Sequence, residues 1–242
     1  MTERAPASIG PVQDFPVTEE PTAHVVGREL LAMAAASLLF PFGLWRSTKR
    51  TPRRAEQRTV VLVHGYLANR GPLLPLAGYL RARGHKTILA YEYPCAGGIE
   101  QAAIGLRDFL RERVRGGRID LVCHSLGGLV ARVYVQQLGG ARRVDRCITL
   151  GTPHRGTYNA YWVASRVGRE LRPDSRVLAR LDASRAGAAR VRFASIVAGS
   201  DNIVIPRVFA SEDVVTHVAG LGHMGLLFSP TAFRAVADQL AT

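Results

Sequence analysis

An α/β fold with a mostly parallel sheet of about six strands and helices on both faces is what this 242-residue chain predicts. Three observations carry that prediction. Short apolar, β-branched runs alternate with longer stretches of helical periodicity, the pattern of strand–helix–strand units wound in one sense. Thr59 to Val63 is a continuous apolar, β-branched run, as in strands buried on both faces. The side chains with reactive chemistry fall just after strand ends, where the sites of such sheets lie.

In chain order, residues 1–29 carry Pro6, Pro11, Pro16 and Pro21 with a mild acidic excess. They read as an extended, poorly ordered arm. Leu30–Trp45 is an apolar stretch broken by Pro41 and Gly43, and the basic run Arg46, Lys49, Arg50, Arg53, Arg54 follows. The stretch falls short of the ~20 residues a spanning helix needs. It also starts too late, after an acidic arm, to resemble a secretory signal. It is compatible with a helix packed on the domain, an interfacial membrane anchor, or a true span, in that order. Residues 30–57 are therefore an apolar helix plus basic linker. The expected location is cytoplasmic or membrane-associated.

The globular domain is expected over residues 58–242. Thr59 to Val63 is the first strand, and His64-Gly65-Tyr66 is a loop. Asn69 to Arg83 has helical character, with Pro72 and Pro75 near its start and Gly84 as its stop. Lys86 to Tyr91 is the second strand. Ile99 to Val114 is amphipathic, with Ala103, Leu106, Leu110 and Val114 on one face. Ile119 to Val122 is the third strand and Leu126 to Leu138 the helix after it. Val144 to Leu150 is the fourth strand. Residues 157–190 lack strand signals and break at Gly168 and Pro173, so they form a small cap of short helices. Arg169, Arg172, Arg176 and Arg180 make a basic stripe if Pro173 leaves the helix intact. Val191 to Ala198 and Val214 to Val218 are the last strands. A final helix starts at Ser229 and Pro230 and buries Phe233, Val236 and Leu240.

The net charge of +13 comes almost wholly from arginine, since Lys49 and Lys86 are the only lysines. The arginines are spread along the whole chain, without aromatic interleaving or a nucleic-acid motif, so no nucleic-acid partner is expected. The three cysteines, Cys95, Cys123 and Cys147, lack paired spacing. That argues against a disulfide framework or a zinc site. Cys123 and Cys147 sit in strand-like runs as core thiols, and Cys95 lies in a loop.

The chemistry centres on Cys123-His124-Ser125-Leu126-Gly127. An apolar strand runs in and a helix runs out, the context of the Gly-x-Ser-x-Gly turn, with cysteine in place of the first glycine. A serine hydroxyl needs a neighbouring base to become a nucleophile. His223, after the sixth strand, is the candidate base, since histidine as a residue type exchanges a proton near neutral pH. Asp201, after the fifth, is placed to hold its tautomer. Glu212 and Asp213 are less favourably placed rivals at the start of the next strand. The backbone N–H groups of Tyr66 and Leu126 are the candidate oxyanion donors. His64 shapes the loop, His154 follows the wrong strand for a base, His217 is a core or edge residue, and Asp120 is structural at the far end of the sheet.

Four segments together resemble the α/β-hydrolase superfamily, within it the small bacterial lipases and esterases. Val61-Leu62-Val63-His64-Gly65 is similar to their oxyanion strand. Cys123-His124-Ser125-Leu126-Gly127-Gly128 is similar to their nucleophile turn. Leu150-Gly151-Thr152-Pro153-His154-Arg155-Gly156 resembles a motif after the next strand. Gly222-His223-Met224-Gly225-Leu226-Leu227 resembles the catalytic histidine segment of minimal triacylglycerol lipases.

The resemblance spans about residues 58–242. It implies hydrolysis of carboxylic esters, small-molecule or lipid, through an acyl-serine intermediate. No metal or cofactor is required. Ser125, Asp201 and His223 would be catalytic, Tyr66 and Leu126 the oxyanion donors, and His64, Gly65, His124 and Gly127 supporting residues. Two other expectations stand beside it: acyl transfer by the same triad, and a catalytically silent binding module tethered through residues 30–54. Peripheral membrane contact would run through Leu30–Trp45 and the basic run.

Overall fold

The computed structural model describes residues 22–44, 58–205 and 214–242. The acidic arm up to residue 21, the basic linker over 45–57, and Glu212 and Asp213 lie outside the described residues.

Six strands form one parallel sheet: β1 (Thr59–Val63), β2 (Ile88–Tyr91), β3 (Ile119–His124), β4 (Val144–Leu150), β5 (Arg192–Ala198) and β6 (Val214–Val218). Their order is β2-β1-β3-β4-β5-β6. The chain starts near one side, steps to the edge, returns past β1 and then proceeds outward. Successive side chains alternate between faces, and two cores follow from that. Val61, Val63, Leu121 and Cys123 join one core with helices α3 (Gly98–Arg113) and α4 (Leu126–Gln137). Val60, Leu62, Val122 and Ile148 join the other with α2 (Leu74–Ala82) and α7 (Pro230–Ala241). The uninterrupted apolar run of β1 after Thr59 is the consequence, because both faces are covered, and every residue of β3 is buried as well, Asp120 included.

Asp120, at the entry end of β3, accepts from Arg58 Nη1 (3.2 Å) and Arg146 Nη1 (3.3 Å) and is buried. It closes the sheet at the end remote from the C-terminal strand ends, as a structural residue.

The expected boundaries change in a few places. The Asn69–Arg83 helix is divided into a 3-10 turn over Gly71–Leu73 and then α2. Pro72 and Pro75 remove the donors that an unbroken first turn would use. The second strand is confined to Ile88–Tyr91. In the cap, α5 (Arg166–Glu170) ends before Pro173 and α6 (Arg176–Ala183) begins after it. The four arginines therefore form no stripe. Arg180 pairs with Glu100, and Arg172 lies 4.8 Å over the Tyr161 ring.

The largest correction concerns the N-terminal segment. The arm does not extend to residue 29, because α1 occupies Ala23–Gly43. The Thr22 carbonyl accepts from the Val25 and Val26 N–H groups and opens the helix there. Pro41 falls in the last turn, where it removes a single i→i−4 donor, and the helix runs two residues past it. Val25, Glu29, Ala32 and Ala36 form a narrow buried stripe with a 4-3-4 spacing.

The small residues of that stripe let α1 lie close on the domain. Asn69 ties down the far end: its Nδ2 donates to the Phe40 carbonyl (2.8 Å), and its Oδ1 accepts from Gly71 N–H (2.8 Å). The helix is long and apolar enough to cross a membrane by length and composition, yet only 22% of its most apolar window is buried. Leu30, Leu31, Leu38, Phe42 and Leu44 are exposed.

A Cβ on Gly71 would run into the Leu39 carbonyl of α1. Gly71→Ala should therefore loosen α1 by about 1–3 kcal/mol. Amide exchange should accelerate over residues 23–43 while the sheet stays protected. Unchanged exchange in α1 would show that the contact is not tight.

Candidate active site

Ser125 stands between β3 and α4 with φ 53° and ψ −124°. A serine rarely adopts this conformation, so its surroundings must impose it. Three hydrogen bonds do so. Its N–H donates to the Leu150 carbonyl (2.9 Å), and its carbonyl accepts from Gly128 N–H (3.0 Å) and Thr152 Oγ1 (2.9 Å). The turn also needs close packing around it. A Cβ on Gly127 would sit 2.5 Å from the His64 carbonyl oxygen and 2.7 Å from that of Val63, and one on Gly128 would overlap the Thr152 side chain. Cys123 fits the preceding position fully buried in the core. Burial raises its thiol pKa well above the ordinary value, and neighbouring Cys147 adds to the rise.

Asp201 and His223 meet below the same region. The His223 Nδ1 lies 2.8 Å from Asp201 Oδ2, and both side chains are buried. The carboxylate is an acceptor, so Nδ1 carries the hydrogen and Nε2 keeps a lone pair. The Ile203 and Val204 N–H groups each donate to Asp201 Oδ1 at 2.9 Å. Burial pushes the Asp201 pKa up. The His223 charge and hydrogen bond, with the two backbone donors, outweigh it and hold the pKa below the ordinary carboxylate value.

Ser125 and His223 line one cavity of about 840 Å³, together with His64, Gly65 and Tyr66. The remaining wall is mostly apolar and includes Met33, Ala36 and Phe40 of α1 and Leu227 after His223. Leu126 is buried at the start of α4.

The other histidines sort by environment. His64 stacks on Tyr93 with centroids 4.3 Å apart. Its Nδ1 donates to the Gly65 carbonyl (2.9 Å), and its Nε2 accepts from Tyr93 N–H (3.3 Å). It is a neutral loop-shaping residue, its pKa lowered by burial despite that carbonyl. His124 sits behind His223, with ring centroids 4.8 Å apart. Burial, then the His223 charge, lowers its pKa to about 3. His154 is buried with Thr149 Oγ1 at 3.0 Å and Ser195 Oγ at 3.2 Å from its Nε2, and Arg132 Nη1 3.3 Å from its Nδ1. Burial, then Arg132, drives its pKa well below the ordinary value. His217 is exposed on edge strand β6. Among the described residues, no group of three or more His, Cys, Asp or Glu side chains is arranged to hold a metal ion.

Two contributors escape a reading of the sequence. Thr152 braces the serine turn through a backbone carbonyl, which no spacing rule reveals. Glu29 of α1 lines the cavity and is buried. A lone acid at the head of an apolar stretch is the available signal, and the continuous apolar run begins one residue after it, at Leu30.

A parallel sheet with a serine turn after β3, a carboxylate after β5 and a histidine after β6 defines the α/β-hydrolase fold. Residues 106–230 match the PGAP1-like alpha/beta domain, and the chain belongs to that family. Residues 43–162 also match a domain of unknown function, DUF7379. The mature form of the Bacillus licheniformis lipase BlEst2 superposes with a TM-score of 0.68 at 15% identity, covering 80% of this chain and 96% of the lipase. Lipase B of Aspergillus fumigatus gives 0.65 at 17% identity, over 99% of this chain and 63% of its own. The phospholipase PlaB of Legionella pneumophila gives 0.52 at 17%, over 59% of this chain and 39% of its own. At these identities the likeness is one of fold.

The buried histidines set an acid limit on stability. His64, His124 and His154 have lowered pKa values when folded and titrate near about 6.5 when unfolded. Below that pH the unfolded chain binds more protons than the folded one, so stability falls as pH falls, down to the folded values. Each histidine contributes a slope of at most about 1.4 kcal/mol per pH unit, where its ring is protonated in the unfolded chain and neutral in the folded one. Urea unfolding at pH 7, 6 and 5 should give a progressively lower unfolding free energy. A flat profile would show that these rings are not held neutral.

Proposed function

We propose that this protein is a serine hydrolase that cleaves carboxylic esters with apolar acyl groups through an acyl-serine intermediate. The observation that carries the proposal is the His223–Asp201 hydrogen bond of 2.8 Å beneath a cavity that His223 shares with Ser125. In this reading Ser125 Oγ attacks the ester carbonyl while His223 Nε2 takes its proton. Asp201 holds the ring and stabilises the imidazolium. The Tyr66 and Leu126 N–H groups receive the oxyanion. His223 then passes the proton to the leaving alcohol. Water, deprotonated by the same ring, attacks the acyl-serine carbonyl, releases the acid and restores Ser125.

The strained serine turn supports this as a nucleophile elbow: it costs the fold free energy that a silent binding module has no reason to retain. The apolar wall formed by Met33, Ala36, Phe40 and Leu227 suits an acyl chain. Lipases among the proteins of like fold point the same way.

Fluorophosphonate labelling followed by peptide mass spectrometry tests the nucleophile. The adduct is expected on Ser125. Ser125→Ala should abolish labelling and lower kcat on the order of 10⁶-fold, and Asp201→Asn should lower it roughly 10⁴-fold. Ester turnover retained in Ser125→Ala would exclude the mechanism.

The outward face of α1 supports a lipid surface as the place of action. Leu31 and Leu38 are 71% and 75% exposed, and the basic run from Arg46 to Arg54 follows the helix in sequence. This combination suits an anionic interface. The double variant Leu31→Glu, Leu38→Glu should lose at least about tenfold in partitioning to anionic vesicles, with turnover of a soluble short-chain ester kept. Partitioning equal to that of the unaltered protein would remove α1 as the contact.

A further inference from the structure

Glu29 is the one charged residue that α1 buries. Its carboxylate does not meet a basic side chain in the hydrogen bonds it makes to the His223 segment. Oε1 accepts from Met224 N–H at 2.7 Å, and Oε2 accepts from Gly225 N–H at 2.9 Å. Those two amides open the 3-10 turn Met224–Leu227, which begins directly after His223. Such first-turn donors have no partner within the turn itself. A carboxylate is the strongest acceptor a protein can offer them.

The contact reaches the other side of His223 as well. A Cβ on Gly222 would sit 2.5 Å from Glu29 Cδ, so only glycine admits the carboxylate there. Gly222 stands directly before the histidine in the Gly222-His223-Met224-Gly225 segment, and its lack of a side chain is accounted for by the carboxylate of a helix about 195 residues earlier. His223 is thereby held from two directions. Asp201 fixes its ring through Nδ1. Glu29 fixes the backbone on which the ring is carried.

We propose that Glu29 is a positioning residue for His223, which makes α1 a working part of the active site as well as a wall of the cavity. The proposal rests on the reading of His223 as the general base. A ring that must reach the serine proton within hydrogen-bond distance tolerates little drift. A displacement of about 1 Å costs on the order of 100-fold in rate.

The test compares the full-length protein with Glu29→Gln and Glu29→Asp, using p-nitrophenyl butyrate. Active sites are titrated with the fluorophosphonate, and rates are expressed per titrated serine. Glutamine keeps one acceptor oxygen and turns an NH2 group toward the second amide, a donor against a donor. Glu29→Gln should lower kcat roughly 10- to 100-fold with KM within about twofold. Glu29→Asp, which retains both acceptors, should recover part of that loss.

Amide exchange at Met224 and Gly225, read separately, should accelerate in Glu29→Gln while β3 and β4 remain protected. An unchanged kcat per titrated serine, or a loss explained wholly by fewer titratable sites, would overturn the proposal and leave Glu29 as a tie for α1. Unchanged exchange at the two amides would overturn it also. If the unaltered protein neither labels nor turns over ester, the hydrolase reading fails, and with it His223 as a base. The exchange comparison then still decides whether Glu29 holds the loop.

Discussion

The backbone of Ser125 is the constraint from which the rest of the site follows. A non-glycine residue at φ 53° is held only where its neighbours over-determine it. Here the Leu150 carbonyl fixes the Ser125 N–H, and Gly128 N–H and Thr152 Oγ1 fix its carbonyl. Two of these partners, Leu150 and Thr152, are brought to the serine by the parallel register of β3 and β4, which sets His124 beside Leu150. They also depend on Gly127 and Gly128, because side chains there would collide with β1 or with Thr152. Sheet register, glycine spacing and serine geometry are thus one condition.

The second half of the site is assembled by a different logic. Asp201 and His223 come from loops after β5 and β6, the last two strands of the sheet. Loops of this kind are not rigid by themselves, so side-chain contacts must hold them. Asp201 spends one oxygen on the Ile203 and Val204 amides and the other on His223. That leaves the His223 backbone to be held from outside, and the outside element is α1 through Glu29. The helix buries only a stripe of small residues and one acid. A ridge of large side chains would have kept it too far away for the carboxylate to reach the Met224 and Gly225 amides.

Much of this was legible in the sequence, and the exceptions have identifiable causes. The six strands and the order Ser125, Asp201, His223 could be read because local apolar runs and strand ends are written locally. The proline-shortened start of α2 and the broken cap helices were boundary effects of Pro72, Pro75 and Pro173. The start of α1 is masked in the sequence because proline-rich composition runs up to Pro21, while Thr22 opens the helix directly after it. Thr152 and Glu29 were illegible for a deeper reason. Each acts on backbone atoms of a segment remote in sequence, and such contacts leave no residue pattern at either end.

The histidines show why residue type alone could not select a base. His64, His124 and His154 all lie close to serine, threonine or histidine side chains, and His154 even meets a serine hydroxyl at 3.2 Å. Each nevertheless sits where burial disfavours the charged ring, and beside His154 the Arg132 cation makes protonation costlier still. A base must accept a proton and become a cation during the reaction, so a ring that resists charge is unsuited to the task. At His223 the Nδ1 hydrogen bond to Asp201 supplies the missing compensation. A carboxylate held below its ordinary pKa by that same ring and by two backbone amides remains charged at neutral pH. The contrast between His154 and His223 is therefore one of neighbouring charge, a guanidinium against a carboxylate. That difference selects His223 as the base in the proposed mechanism.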